Sequence, residues 1–160
     1  MSILKAREYL KKFDADGRIR ELELSSATVE LAALALGCEG KRIAKTLSFE
    51  GVDAPILIVA AGDAKVDNHA FKEEFKIKPR MIAADLVEEK IGHGIGGVCP
   101  FGVNENVKIY LDKSLTRFET VFPACGSSNS AIELTISELE AFSSFIKWVD
   151  VCKAWQDNVD

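Results

Sequence analysis

The run Ala54-Pro55-Ile56-Leu57-Ile58-Val59-Ala60-Ala61 contains no polar side chain. A strand with water on one face alternates apolar and polar residues. An uninterrupted apolar run of this length reads instead as a central strand covered on both faces. The rest of the chain must therefore supply two layers of cover. Its 160 residues, 48% of them hydrophobic, suffice for one globular domain with a sizeable core. No repeat, low-complexity tract or linker interrupts it, so a single domain over 1–160 is expected.

The candidate cover is legible in segments. Ile3, Ala6, Tyr9, Leu10 and Phe13 share one face of a helix over about 3–13. Ser25-Ser26 cap a helix over 28–36, which Gly37 stops. Helices are also expected over 67–76 and 83–91, and strands over 18–24, 42–50, 107–112, 118–124 and 131–136. Ser137 with Glu140 forms a capping-box pattern for a long C-terminal helix, about 137–156. Strands and helices interleave irregularly, which predicts an α+β (mixed α/β) class with a mixed sheet surrounded by helices. The last helix carries two apolar stripes, Leu139, Phe142, Ile146 and Val149, and Phe145, Trp148, Cys152 and Trp155. One stripe suffices for docking on a core. The surplus predicts self-association, a homodimer through the C-terminal helix, or a partner surface.

Bulk properties exclude several classes. The net charge of -5 leaves no general basic surface for gripping a long duplex. It leaves room for a protein that takes only a nucleic-acid end, and the cluster Lys72, Lys76, Lys78 and Arg80 can meet phosphates. No apolar run approaches a membrane span, and Met1 to Lys5 lacks the apolar core of a signal peptide, which predicts a cytoplasmic protein. The four cysteines are scattered without a C-x-x-C pair, as free thiols in a reducing compartment are. With two histidines and no local ligand pair, neither a metal nor a cofactor is expected.

Chemistry concentrates elsewhere. Gly92-His93-Gly94-Ile95-Gly96-Gly97-Val98-Cys99-Pro100-Phe101-Gly102 has five glycines in eleven residues. Such a stretch presents backbone N–H groups and allows close approach of a ligand. Gly92, Gly94 and Gly97 match a dinucleotide fingerprint, but a helical turn precedes them and Pro100 follows, where a strand and a helix are required. A Rossmann site is rejected. In the strand 42–50, period two puts Lys45 with Ile43, Leu47 and Phe49, opposite Ala44, Thr46 and Ser48. An ammonium in that phase either snorkels out or lines a polar pocket. Cys125-Gly126-Ser127-Ser128-Asn129-Ser130 is a second small-residue loop that can add hydroxyls. No Ser/His/Asp set is visible, His93 has no acidic orienter nearby in sequence, and Cys99 and Cys125 read as packing residues.

Four segments in this order resemble the YbaK-type family of free-standing aminoacyl-tRNA deacylases, related to the editing domain inserted in bacterial prolyl-tRNA synthetases. They are Ile43-Ala44-Lys45-Thr46-Leu47, Gly92-x-x-x-Gly96-Gly97-x-x-Pro100-x-Gly102, Ile109 to Leu115, and Gly126-Ser127-Ser128 leading into Ile132-Glu133-Leu134, together covering about 20–142. The resemblance implies a curved, barrel-like mixed sheet and a trans-editing hydrolase that cleaves the ester of mischarged aminoacyl-tRNA. It implies Lys45, Gly96 and Gly97 as catalytic residues. It implies substrate contacts from Gly94, Val98, Pro100, Phe101 and Gly102, and from Gly126, Ser127 and Ser128. The implied partners are the acceptor end of aminoacyl-tRNA and an aminoacyl-tRNA synthetase. The competing readings are a non-catalytic module that binds a nucleotide or a synthetase in the same pocket, and a hydrolase of small esters.

Overall fold

The computed structural model describes residues 2–155. Its centre is an antiparallel pair, β2 (Ile43–Phe49) and β3 (Ile56–Ala61), in register from Ala44 opposite Ala61 to Phe49 opposite Ile56. Every residue of β3 is buried. Parallel to β3 runs β5 (Lys108–Asp112), and parallel to that β9 (Lys147–Val149). On the other side β6 (Thr120–Pro123) runs parallel to β2, and β8 (Leu134–Thr135) antiparallel to β6. The order β8-β6-β2-β3-β5-β9 is the expected mixed sheet, curled into a half-barrel. Two short ribbons stand outside it. One pairs β1 (Arg20–Glu21) with β7 (Ser130–Ala131), the other β4 (Lys65–Val66) with β10 (Cys152–Lys153).

Both faces of β3 are covered, by different elements. Ile56 and Ile58 join the main core, where Phe49, Phe71, Phe75 and Tyr110 pack in a chain of tilted and edge-on rings with centroids 4.6–4.9 Å apart. Phe71 and Phe75 come from α3 (Asn68–Phe75), whose N-cap Asp67 accepts from the N–H of His69 and Ala70. Leu57 faces the other way, onto Ile82, Val87, Ile91, Val107 and Ile109. Val87 and Ile91 belong to α4 (Val87–Ile91). The N-terminal helix α1 (Ser2–Leu10) buries Ala6 and Leu10 and tightens into a 3-10 turn over Lys11–Phe13. Among the described residues no helix is long and apolar enough to cross a membrane.

The C-terminal expectation needs correction. Helix α5 spans only Ile136–Ser143 and ends at Ser144, which takes a left-handed φ of 54°. The following residues pair with the open edge of β5 as β9, and then with β4 as β10. Strand pairing satisfies backbone groups at an edge that a helix would leave open. One side chain directs this path. Asp112 accepts from the N–H of Ser114 through one oxygen (2.9 Å) and from Val151 through the other (3.0 Å). The second apolar stripe is therefore not a helix face. Cys152 and Trp155 lie inside the core, and Trp155 Nε1 donates to Cys152 O at 3.1 Å. The surface on which a homodimer was expected is not formed. The last residue of the expected helix, Gln156, falls outside the described residues.

Caps also shift. Helix α2 (Val29–Leu36) is capped by Thr28, not by Ser25 or Ser26, and Thr28 Oγ1 accepts from Leu31 N. The capping box of α5 is Thr135 with Glu138, not Ser137 with Glu140. The strand expected over 18–24 shrinks to β1, since it finds only the two residues of β7 to pair with. The strand expected over 131–136 divides into β7 and β8.

Thr135→Val keeps the strand shape and removes the capping oxygen. It should lower stability by about 1 kcal/mol, while Ser137→Ala stays within about 0.5 kcal/mol of the parent, as read by thermal unfolding followed by circular dichroism.

Candidate active site

One cavity of about 400 Å3 opens beside β2. Its walls are β2 itself, residues 26–29 at the start of α2, the segment from Met81 to Val87, and the tip of the glycine loop. The lining is largely apolar, with Ile43, Ala32, Leu36 and Phe122 among its residues. Among the described residues Lys45 is the one charged residue that lines it, and no carboxylate does.

Lys45 sits opposite Ala60 in the β2–β3 ladder and is half-buried. Its ammonium donates to the carbonyl oxygens of Gly62 (3.3 Å) and Ala64. Burial lowers its pKa below the ordinary lysine value, and Asp63 is among the groups opposing the shift. The turn that supplies both carbonyls is clamped. Asp63, between them, is gripped by Arg117 through two contacts of 2.6 and 3.0 Å, with the two side chains only 17% and 10% exposed. Arg117 is itself fixed by Ser114 O at 2.9 Å and lies over the Trp155 ring. The ammonium is thus held by a rigid turn rather than waving from a strand end.

The glycine loop divides into a lining part and a packing part. Gly96, with φ of 88°, and Val98 line the cavity together with Ile95. Gly97 does not. Its N–H donates to Gly94 O at 3.1 Å, so that amide is already spent in a turn. A Cβ on Gly97 would stand 2.4 Å from Ser127 N and 2.5 Å from Gly126 C, so the two small-residue loops meet backbone to backbone at this point. Among the described residues no partner takes the N–H of Gly96 or Val98. Pro100 and Phe101 are buried in the core, where Phe101 lies 6.3 Å from the Tyr9 ring. Gly102 abuts Lys5 of α1. Their apolar bulk follows the core, not the cavity. Gly94 is also outside the lining.

His93 staples the loop shut. Its Nε2 lies 2.6 Å from Phe101 O and 3.5 Å from Cys99 Sγ, all buried. A contact that short to a carbonyl requires Nε2 to carry the proton. Nδ1 is then a buried acceptor, without a partner among the described residues. Burial lowers the His93 pKa, and it pushes the Cys99 thiol up to about 12 and the Cys125 thiol upward too. Neither cysteine is poised as a nucleophile, and both pack as expected.

The second loop behaves differently from expectation. Ser127 Oγ bonds Ser130 Oγ at 2.7 Å, and Ser128 O accepts from Ser26 N and Oγ. Gly126, Ser127 and Ser128 therefore brace the glycine loop and the 25–26 segment without lining the cavity. Ser130 does line it, as do Ser26, Thr28 and Ser48. The wall at 26–29 was missed in the sequence. Its only signal was a serine- and threonine-rich entry to an unusually apolar helix.

The profile of the aminoacyl-tRNA editing domain matches residues 24–142. The chain belongs to that family. An uncharacterized Bacillus subtilis protein, YwhH, is 53% identical over 98% of this chain and its own full length. The proline–tRNA ligase of Thermosipho melanesiensis is 34% identical over 64% of this chain, which corresponds to 19% of the ligase. A crystal structure described as that of a candidate trans-editing enzyme for prolyl-tRNA synthetase superposes with a TM-score of 0.85 at 27% identity, over 95% of this chain and 97% of the other. The expected family and fold are both met.

Two consequences for this editing domain can be measured. Arg117→Ala removes the guanidinium that grips the part-buried Asp63 carboxylate and should cost about 1.5–3 kcal/mol, read by urea unfolding. His93 titrates below its ordinary value of 6.5 in the folded state, so the unfolded chain takes up its proton first. Stability is full above pH 6.5 and falls as pH drops toward the lowered folded value. His93→Gln should remove that part of the pH dependence.

Proposed function

We propose that this editing domain hydrolyses the ester of mischarged aminoacyl-tRNA in the cavity between Lys45 and the Gly96–Val98 tip. The observation that carries the reading is the pairing of one fixed cation with loop amides that, among the described residues, have no partner, in a wall to which none of the described carboxylates contributes. An aminoacyl ester is already activated, so the site needs to place a carbonyl and stabilise negative charge on its oxygen. The N–H groups of Gly96 and Val98 face that task. An amide aimed at a developing oxyanion contributes about 10²–10³ in rate. Lys45 adds positive potential in a partly dry wall, where charge acts over a lower dielectric. The attacking group is water or a substrate hydroxyl, because burial raises the pKa of all three buried thiols, Cys99, Cys125 and Cys152, and among the described residues no serine is hydrogen-bonded to His93.

The apolar lining implies discrimination by side-chain size. One methylene is worth only about 1–3 kcal/mol to a synthetase pocket, so a second hydrolytic sieve is useful. The likeness to a proline–tRNA ligase and to a candidate trans-editing enzyme for prolyl-tRNA synthetase points to tRNA for proline carrying a wrong, small amino acid, with that synthetase as the partner.

The test is deacylation of a panel of mischarged tRNAs by the pure protein. Lys45→Ala should lower the rate by about 10²-fold or more, and Cys99→Ala should retain activity. Gly97→Ala, which separates the two loops, should lose activity along with stability. Binding without turnover across the whole panel would return the reading to a non-catalytic module. A dead Cys99→Ala beside an active Lys45→Ala would overturn the assignment of Lys45.

A further inference from the structure

The cavity must receive the end of a polynucleotide, and the protein carries a net charge of -5. Something local has to meet the phosphates that trail behind the esterified nucleotide. The stretch Lys76-Ile77-Lys78-Pro79-Arg80-Met81 is the candidate. It holds three cations and no anion. Lys76, Lys78 and Arg80 are exposed, while Ile77 and Pro79 between them are half-buried. Pro79 keeps Lys78 extended. The segment is anchored along the end of β2: Glu50 N donates to Arg80 O at 2.8 Å, Ile82 N to Ser48 O at 3.1 Å, and Met81 bridges Phe49. Lys78 and Arg80 therefore stand two residues apart on an extended backbone, about 6–7 Å from each other, and Lys76 precedes them at the left-handed end of α3, with φ of 64°. That interval is close to the spacing of successive phosphates in an extended single strand.

The row also leads to the right place. Met81, 59% exposed, lines the cavity, and Ile95, 63% exposed, lines it as well. They form an apolar ledge at the mouth, suited to the face of a terminal base. Neighbouring carboxylates are largely engaged. Glu50 is paired with Lys90 at 2.8 Å and Glu74 with Lys147 at 2.6 Å. Asp85, four residues after Met81, and Glu73 on α3 are exposed acids. Among the described residues the side chains of Lys76, Lys78 and Arg80 have no ion-pair partner.

We infer that Lys76, Lys78 and Arg80 form a track for the single-stranded acceptor end of tRNA, resting on the editing function proposed above. Arg80 meets the phosphate nearest the esterified nucleotide, Lys78 the next, and Lys76 the third. Lys72, one turn back on α3, is not part of the row.

The experiment has a binding arm and a kinetic arm. In the first, fluorescence anisotropy follows an uncharged, labelled acceptor minihelix ending in CCA across a salt series. Lys76→Ala/Lys78→Ala/Arg80→Ala should weaken binding by about tenfold or more and reduce the slope of log K against log salt by about 2. A control with the same charge change at distant exposed sites, Lys12→Ala/Lys108→Ala/Lys113→Ala, should bind nearly as the parent. In the second arm, KM on an aminoacyl-minihelix should rise in the track variant, while the rate on a 3′-aminoacyl-adenosine, which has no trailing phosphate, stays unchanged. Equal losses in track and control variants, an unchanged salt slope, or a parent protein that shows no salt-dependent binding would each overturn the track. Salt-sensitive binding that collapses in the track variant without any deacylation by the parent would uphold the track and sink the editing reading instead.

Discussion

Strand β3 has no face to give to water, and the molecule is arranged around that fact. Covering one face brings α3 and its aromatic chain against Phe49 and Tyr110. Covering the other brings α4 and Ile82 against Leu57. The two layers are different lengths of chain, and the segments that link them run past β2. The cavity is formed where β2 lacks full cover. The site is therefore a gap in the cover of the sheet rather than a feature added to it.

Within that gap a charge has to be kept. A half-buried ammonium loses hydration, and its pKa falls accordingly. Two carbonyls of the turn after β3 replace part of that hydration, and the Asp63–Arg117 pair holds the turn still. Arg117 depends in turn on Trp155, at the far end of the described chain. The C-terminal segment thus acts on the site at a distance, through packing and one part-buried ion pair. Preorganisation of this kind is what an enzyme needs when its task is placing a carbonyl near fixed charge and amides.

Much of this was readable in the residues. The apolar run announced a doubly covered strand, and Lys45 stood out because it broke an apolar phase. The glycine stretch announced a close approach. It did not say which glycine approaches what. Gly96 faces the cavity, whereas Gly97 faces the other loop, and one residue of phase separates them. Pro100 and Phe101 share the same stretch yet belong to the core. Ser127 and Ser128 looked like hydroxyl donors, but the Ser127 hydroxyl is spent on Asn129 and Ser130, and Ser128 braces through its backbone carbonyl. The C-terminal stripes had helical spacing, and a strand edge claimed those residues first.

What the residues determined alone was local and periodic: a buried strand, a misplaced lysine, an amide-rich loop, and a family pattern set by their order. These follow from side-chain size, charge and backbone freedom within a short window. Only the tertiary structure decided which backbone groups remain free, which carboxylate holds the turn beneath Lys45, and which segments line the cavity. Those outcomes depend on competition for hydrogen-bond partners and for sheet edges between segments far apart in the chain. No local window contains both competitors.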